Sequence, residues 1–172
     1  CKQYSRLPVI VKLTPNIADI RKPALAAKQG GADAVSLINT INSIMGVDPR
    51  TLQMSPSTGG MGSHGGYCGP AVKPIALRCT YEVLQAVKCP VIGVGGIGTA
   101  TDALEFMLLG ARAVQVGTAN FINPGVAVEI LEGIERFLRF QGLDRIEDFI
   151  GTLDTECLFP FAEDACGILD LS

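Results

Sequence analysis

The chain has 172 residues, 48% of them hydrophobic, no tryptophan, and a formal net charge of -3. That length can bury one core of ordinary size, while the weak acidity without a basic block speaks against nucleic acid as a partner, and no apolar run approaches the roughly 18 residues of a membrane span. No basic segment leads into an apolar stretch as in a secretion signal, and the 6 cysteines are irregularly spaced with no C-x2-C pair, so neither a zinc site nor a ferredoxin-type cluster is expected and the thiols read as those of a cytoplasmic protein.

In chain order, PVIVKL at 8–13 reads as a strand. IADIRKPALAAKQG at 17–30 reads as a helix ended by Gly30-Gly31, with Pro23 in its first turns or splitting it. DAVSLIN at 33–39 is the second strand. A long irregular stretch rich in Gly, Ser, Thr and Pro follows over 41–70. Residues 71–87 carry apolar positions at helical spacing, and PVIGVGG at 90–96 is the third strand. A helix over 99–110 has Thr99 or Thr101 as its N-cap. A fourth strand at 113–118, a helix at 125–140 and a short helix at 145–151 complete the pattern, and the tail at 152–172 gives no clear signal.

The order is β-α four times, with strands apolar on both faces, as suits parallel strands covered by helices. Such a chain makes either a small open sheet or one half of a (β/α)8 TIM barrel. Polar and glycine residues follow the strands at Asn39-Thr40, Gly95-Gly96 and Gly117-Thr118, which favours the barrel, whose loops after the strands form the working face. The expected division is a half-barrel with a C-terminal helix over 1–151 and a tail over 152–172. Half a barrel leaves two sheet edges unpaired, so either further strands precede these or two copies associate. Residue 1 is Cys and not Met, and the expectation is that the chain is the C-terminal half of a longer protein.

Two glycine turns, Gly95-Gly96 and Gly117-Thr118, lie after neighbouring strands and suit one shared phosphate; the plain alternative is tight strand-to-helix turns. Lys12 sits inside an apolar strand, where an ammonium needs an anionic or electron-rich partner unless it snorkels from an edge. Asn39 and Thr40 offer donors and acceptors to an amide-bearing ring, or simply make a turn; Asn16 and Asn42 are weaker candidates of the same kind. The loop GGMGSHGGYCGPA at 59–71 reads as a flap carrying His64, Tyr67, Cys68 and Gly69. Its histidine and cysteine are either acid–base groups or a solvent-facing loop residue and a silent thiol. An aldolase or isomerase with Lys12 as Schiff-base former, and a non-catalytic half-barrel, stay open on these residues alone.

The segments VKLTPN, INT, GYCGPAVKPIAL, PVIGVGGI and VQVGTANF resemble the flavin-dependent dihydroorotate and dihydropyrimidine dehydrogenases, in order, over residues 8 to about 151. The resemblance implies a (β/α)8 barrel holding FMN at its carboxyl face and interconverting a pyrimidine and its 5,6-dihydro form by hydride transfer. Carried over by residue, Lys12 stands beside the flavin ring, Ile38 and Gly69 contact the flavin, Asn39 and Thr40 hold the pyrimidine, and Gly95, Gly96, Gly117 and Thr118 bind the FMN phosphate. No metal is implied.

The family's base cysteine lies on a loop well ahead of the strand that carries the lysine. Cys1 is too close to that strand, so no catalytic residue is expected in this chain. Implied partners are the N-terminal half of the barrel, a second copy in a homodimer, and an NAD/FAD/iron–sulfur electron-transfer subunit. NTINSIMGVD and SHGGYCGPAVKPIAL resemble the NAD-dependent dihydropyrimidine dehydrogenase, the reading given first place. VGTANFINP and EGIERFLRFQGLDRIEDFIG resemble the NAD-linked dihydroorotate dehydrogenase of de novo UMP synthesis, the alternative. A cluster segment of the former kind is not supplied by a tail with only Cys157 and Cys166.

Overall fold

The structure, a computed structural model, describes residues 1–154. From residue 155 on, the expected tail, Cys157 and Cys166 included, lies outside the described residues.

The strand expectations hold with trimmed ends. β1 (Ile10–Leu13), α1 (Arg21–Gln29) and β2 (Ala34–Leu37) come first. Pro23 sits in the first turn of α1, where no intrahelical N–H is lost. The stretch expected to be irregular is built from short antiparallel pairs instead: β3 (Ile41–Ser43), β4 (Gly46–Asp48), β5 (Gln53–Ser55), β6 (Ser57–Thr58), β7 (Met61–Gly62) and β8 (Gly65–Tyr67). β3 pairs with β8, β4 with β5 and β6 with β7. Two- and three-residue strands of Gly, Ser and Thr carry no apolar alternation, so periodicity could not reveal them.

A 3-10 turn at Pro70–Val72 then leads into α2 (Lys73–Ala86), followed by β9 (Val91–Val94), α3 (Ala100–Leu109), β10 (Ala113–Gln115), α4 (Ala119–Ile122) and α5 (Val126–Gln141). The one-turn α4 is too short to show a period and was not expected. Thr99 is the N-cap of α3 in a full capping box with Asp102. The short helix expected at 145–151 is a 3-10 turn at Ile146–Asp148.

The main sheet runs β1-β2-β9-β10, every pair parallel. Each step moves to the next position in the same direction. Right-handed crossovers taken in one direction put every helix on the same face. Burial agrees. The row Leu13–Leu37–Gly93 lies under the helices, and a Cβ on Gly93 would collide with the fully buried Phe106 ring of α3. On the other face Ile10 is 53% exposed, and Lys12, Ala113 and Gln115 are exposed as well.

The core lies between sheet and helices, around Val35, Leu37, Ala76, Val83, Val91, Ala103 and Phe106. Burying side chains of the Val, Leu and Phe kind contributes about 1.5–3 kcal/mol each. α5 extends this core outward. Its Val126, Ile130 and Ile134 recur every fourth residue and are buried. Phe137 meets Phe149 edge-on at 5.0 Å.

Candidate functional site

At the carboxyl ends of the four main strands the chain encloses a cleft of about 400 Å³, in the size range of small-molecule sites. The residues that the resemblance assigns to cofactor and pyrimidine line it: Lys12 from β1, Ile38, Asn39 and Thr40 after β2, Gly69 at the end of the flap, Gly95 and Gly96 after β9, Gly117 and Thr118 after β10. Tyr67 and Cys68 line it too, while His64 is exposed and does not. Asn16 and Asn42 are not in its wall. The Asn16 amide is spent internally, donating to Thr14 Oγ1 and the Thr40 carbonyl, 3.0 Å each, and accepting from the Asn42 N–H at 2.8 Å.

Local structure explains the placements. In the parallel register Lys12 stands opposite Ser36, on the face away from the helices, and Leu13 on the other. Its side chain is exposed toward the cleft and has no hydrogen bond or ion pair among the described residues. The Asn39 N–H donates to the Leu13 carbonyl at 3.0 Å, which ties the end of β2 to the end of β1. The flap passes close to Thr40, which stays exposed: a Cβ on Gly66 would come within 2.5 Å of its Oγ1.

The glycines divide into two kinds. Gly95 and Gly96 have φ of 130° and 73°, and a Cβ on them would meet Ala76 at 2.9 Å and the Lys73 Cβ and backbone N at 2.7 and 2.8 Å. Their smallness therefore serves packing against the start of α2. Gly69, at φ 93°, and Gly117 have nothing within 4 Å of a built Cβ, so they leave room on the cleft side. No hydrogen bond among the described residues engages the N–H of Gly95, Gly96, Gly117 or Thr118.

An ion cluster beside this cleft was not expected from sequence. Lys73 Nζ lies 2.6 Å from Asp102 Oδ1 and 2.8 Å from Glu105 Oε2. Asp102 Oδ2 also accepts from the Gly98 N–H at 3.0 Å and from both the N–H and hydroxyl of Thr99 at 2.8 Å. Burial pushes the Asp102 carboxyl up, but Lys73 and these donors outweigh it and hold it below the ordinary carboxylate range. Hydrogen bonds to Asp102 and then Glu105 raise Lys73 above the ordinary lysine value. The spacing Asp102-x-x-Glu105 puts both carboxylates on one helix face, but nothing local pointed to Lys73, 29 residues earlier. Among the described residues no group of His, Cys, Asp and Glu is placed to hold a metal ion, and no helix is long and apolar enough to cross a membrane.

Chemically, the cleft offers unengaged backbone N–H groups at one end, an unpaired ammonium, and an amide and a hydroxyl at Asn39 and Thr40. That combination suits a ligand with an anionic group at one end and amide-like donors and acceptors at the other.

Known proteins of one family are similar to this chain. The family profile described as dihydroorotate dehydrogenase matches residues 1–138. The catalytic subunit of dihydroorotate dehydrogenase B (NAD(+)) from Lachnoclostridium phytofermentans is 52% identical over 151 residues, covering 87% of this chain and 48% of that protein. The subunit of the same name from Thermoanaerobacter sp. (strain X514) is 48% identical over 156 residues, 90% of this chain and 50% of its own length. That from Desulforudis audaxviator is 50% identical over 151 residues, 87% and 47%. The chain spans about half the length of the curated relatives it matches. These relatives carry the name of the alternative given above and not that of the dihydropyrimidine enzyme.

Proposed function

The chain belongs to the dihydroorotate dehydrogenase family, and on that premise we propose that it is the cofactor- and pyrimidine-holding part of an FMN-dependent, NAD-linked oxidoreductase that converts dihydroorotate to orotate. The dihydropyrimidine reading, first from sequence alone, yields to this one because the named relatives favour it.

The observation that carries the proposal is the convergence of Lys12, Asn39-Thr40, Gly69, Gly95-Gly96 and Gly117-Thr118 on one cleft from four strand ends. FMN fits these residues. The open sides of Gly69 and Gly117 leave backbone free to approach a ligand, and the unengaged N–H groups of the two glycine turns suit its phosphate. Bound FMN supplies the hydride acceptor. The residues of this chain bind and orient: Lys12 presents a positive charge to the ring, Ile38 gives it an apolar wall, and Asn39 and Thr40 hydrogen-bond the pyrimidine carbonyl and N–H edges. The C5 proton is assigned to a base outside this set, on the loop that the resemblance places ahead of β1.

The sheet order supports the half-barrel reading. A sequential parallel sheet with helices on one face and an open opposite face is what four (β/α) units of a barrel provide. Partners under this proposal are the other four units, a second copy, and an electron-transfer subunit that passes electrons to NAD, all in the cytoplasm.

The test is the flavin spectrum of the full-length protein, titrated anaerobically. Dihydroorotate should bleach it and orotate should shift it, with uracil and dihydrouracil inert. A protein that takes up no FMN, or one bleached by dihydrouracil and not by dihydroorotate, refutes the assignment.

A further inference from the structure

Asp102, Lys73 and Glu105 do not line the cleft, yet they border the Gly95-Gly96 turn, through the Lys73 backbone against Gly96 and the Asp102 carboxylate on the Gly98 N–H. α3 is the first full helix after the Gly95-Gly96 turn, and the start of such a helix ordinarily attracts an anion. Here that start already carries a carboxylate of its own. The Asp102 carboxylate takes the N–H groups of Gly98 and Thr99 and the Thr99 hydroxyl. Its other oxygen holds Lys73, and Glu105 holds Lys73 from the next turn. Lys73 in turn is the first residue of α2, and its backbone is the surface against which Gly96 packs. One lysine thus joins three elements: its backbone is the start of α2 and the surface under Gly96, and its ammonium is tied to the start of α3.

Resting on the FMN reading, we infer that Lys73, Asp102 and Glu105 are positioning residues for the cofactor phosphate: Asp102 closes the α3 terminus to it, and Lys73 fixes the Gly96 turn, so that the anion is directed to the N–H groups of Gly95-Gly96 and Gly117-Thr118. The sign of the charges fits. Lys73 is spent on two carboxylates and is no counter-ion to the phosphate. Without it those carboxylates would face the phosphate uncompensated.

The experiment compares FMN with riboflavin, which lacks the phosphate, as ligands of the full-length apoprotein. Lys73→Met and Asp102→Asn should raise the Kd for FMN by about tenfold to a hundredfold, the scale of an ångström-level misplacement, and leave the Kd for riboflavin within about twofold. Lys73→Arg should recover most of the loss. If Lys73→Met does not fold, Asp102→Asn, which keeps the side chain's size and one acceptor oxygen, carries the test. Equal weakening of both ligands, or no change in either, overturns the inference. If the unsubstituted protein binds riboflavin as tightly as FMN, the phosphate site itself is refuted.

Discussion

Asn16 holds the backbone of Thr40. Its amide donates to the Thr40 carbonyl at 3.0 Å, and its own carbonyl accepts the N–H of Asn42 at 2.8 Å, so one side chain joins the loop after β1 to the root of the flap. By residue type and position Asn16 reads as a weak ligand candidate. In the structure it serves Thr40. Asn16→Ala removes these bonds, at about 0.5–1.5 kcal/mol each, and frees the segment that carries Asn39 and Thr40. The KM for dihydroorotate should rise about tenfold with bound FMN unchanged. Asn16→Asp keeps the acceptor for Asn42 but sets a carboxylate against the Thr40 carbonyl, and should do no better. Loss of FMN with unchanged KM would assign Asn16 to the cofactor instead.

The two kinds of glycine predict opposite outcomes. Gly96→Ala must place a Cβ within 2.8 Å of Lys73 backbone at φ 73°, a combination of overpacking and left-handed strain. A loss of about 2–4 kcal/mol is expected, seen as a fall in the urea midpoint even without ligand. Gly117→Ala meets nothing within 4 Å. Its urea midpoint should match the parent, while FMN binding falls about tenfold because the methyl group fills the space left for the ligand. Equal midpoints for both variants would show that the Gly96 packing is not as described.

Much of this was legible beforehand, and the reason is physical. β1, β2, β9 and β10 are apolar runs bounded by turn residues, and α5 repeats apolar residues at helical spacing, so periodicity finds them. Glycine turns after strands mark a ligand face by type and position alone. What stayed hidden depends on contacts far apart in sequence. The flap strands have no apolar alternation, and the partner of Lys73 lies 29 residues away. The reason Gly96 must be small is the backbone of Lys73, which no local pattern records. Local motifs do not carry the choice between pyrimidine substrates: NTINSIMGVD and the flap segment point to the dihydropyrimidine enzyme, VGTANFINP and the α5 segment to the dihydroorotate enzyme, and the named relatives side with the latter.

The ion cluster gives stability a definite pH dependence. Asp102 titrates below its unfolded value, near 3.8, so its contribution is fully present above that value and is lost as pH falls through the lower folded pKa. Lys73 titrates above its unfolded value, near 10.5, so its contribution is present below that value and lost as pH rises through the higher folded pKa. Between these limits the cluster adds no slope. Urea unfolding of the parent and Asp102→Asn, measured from pH 2.5 to 7, should differ by a constant near neutrality and converge below about pH 3.8. Parallel curves down to pH 2.5 would mean that Asp102 is not held down in the folded protein.

Lys12 gives the sharpest test of the redox assignment. It is exposed on the cleft side of β1, with no ion partner among the described residues. A lone ammonium contributes nothing to folding that a methionine of similar length would lose, so Lys12→Met should keep the parent's urea midpoint or raise it. Its expected work is electrostatic. A positive charge beside the flavin ring favours the added electron pair, and at an effective dielectric near 20 a contact of about 4 Å is worth roughly 4 kcal/mol before screening. Even a fraction of that moves the potential measurably. Lys12→Met should lower the flavin potential and slow bleaching by dihydroorotate about a hundredfold, with Lys12→Arg intermediate, since it keeps the charge but not the point geometry. Stopped-flow bleaching and a dye-coupled potential titration measure the two effects separately. An unchanged potential with slowed bleaching would move Lys12 from the ring to the substrate, and no change in either would remove it from the site.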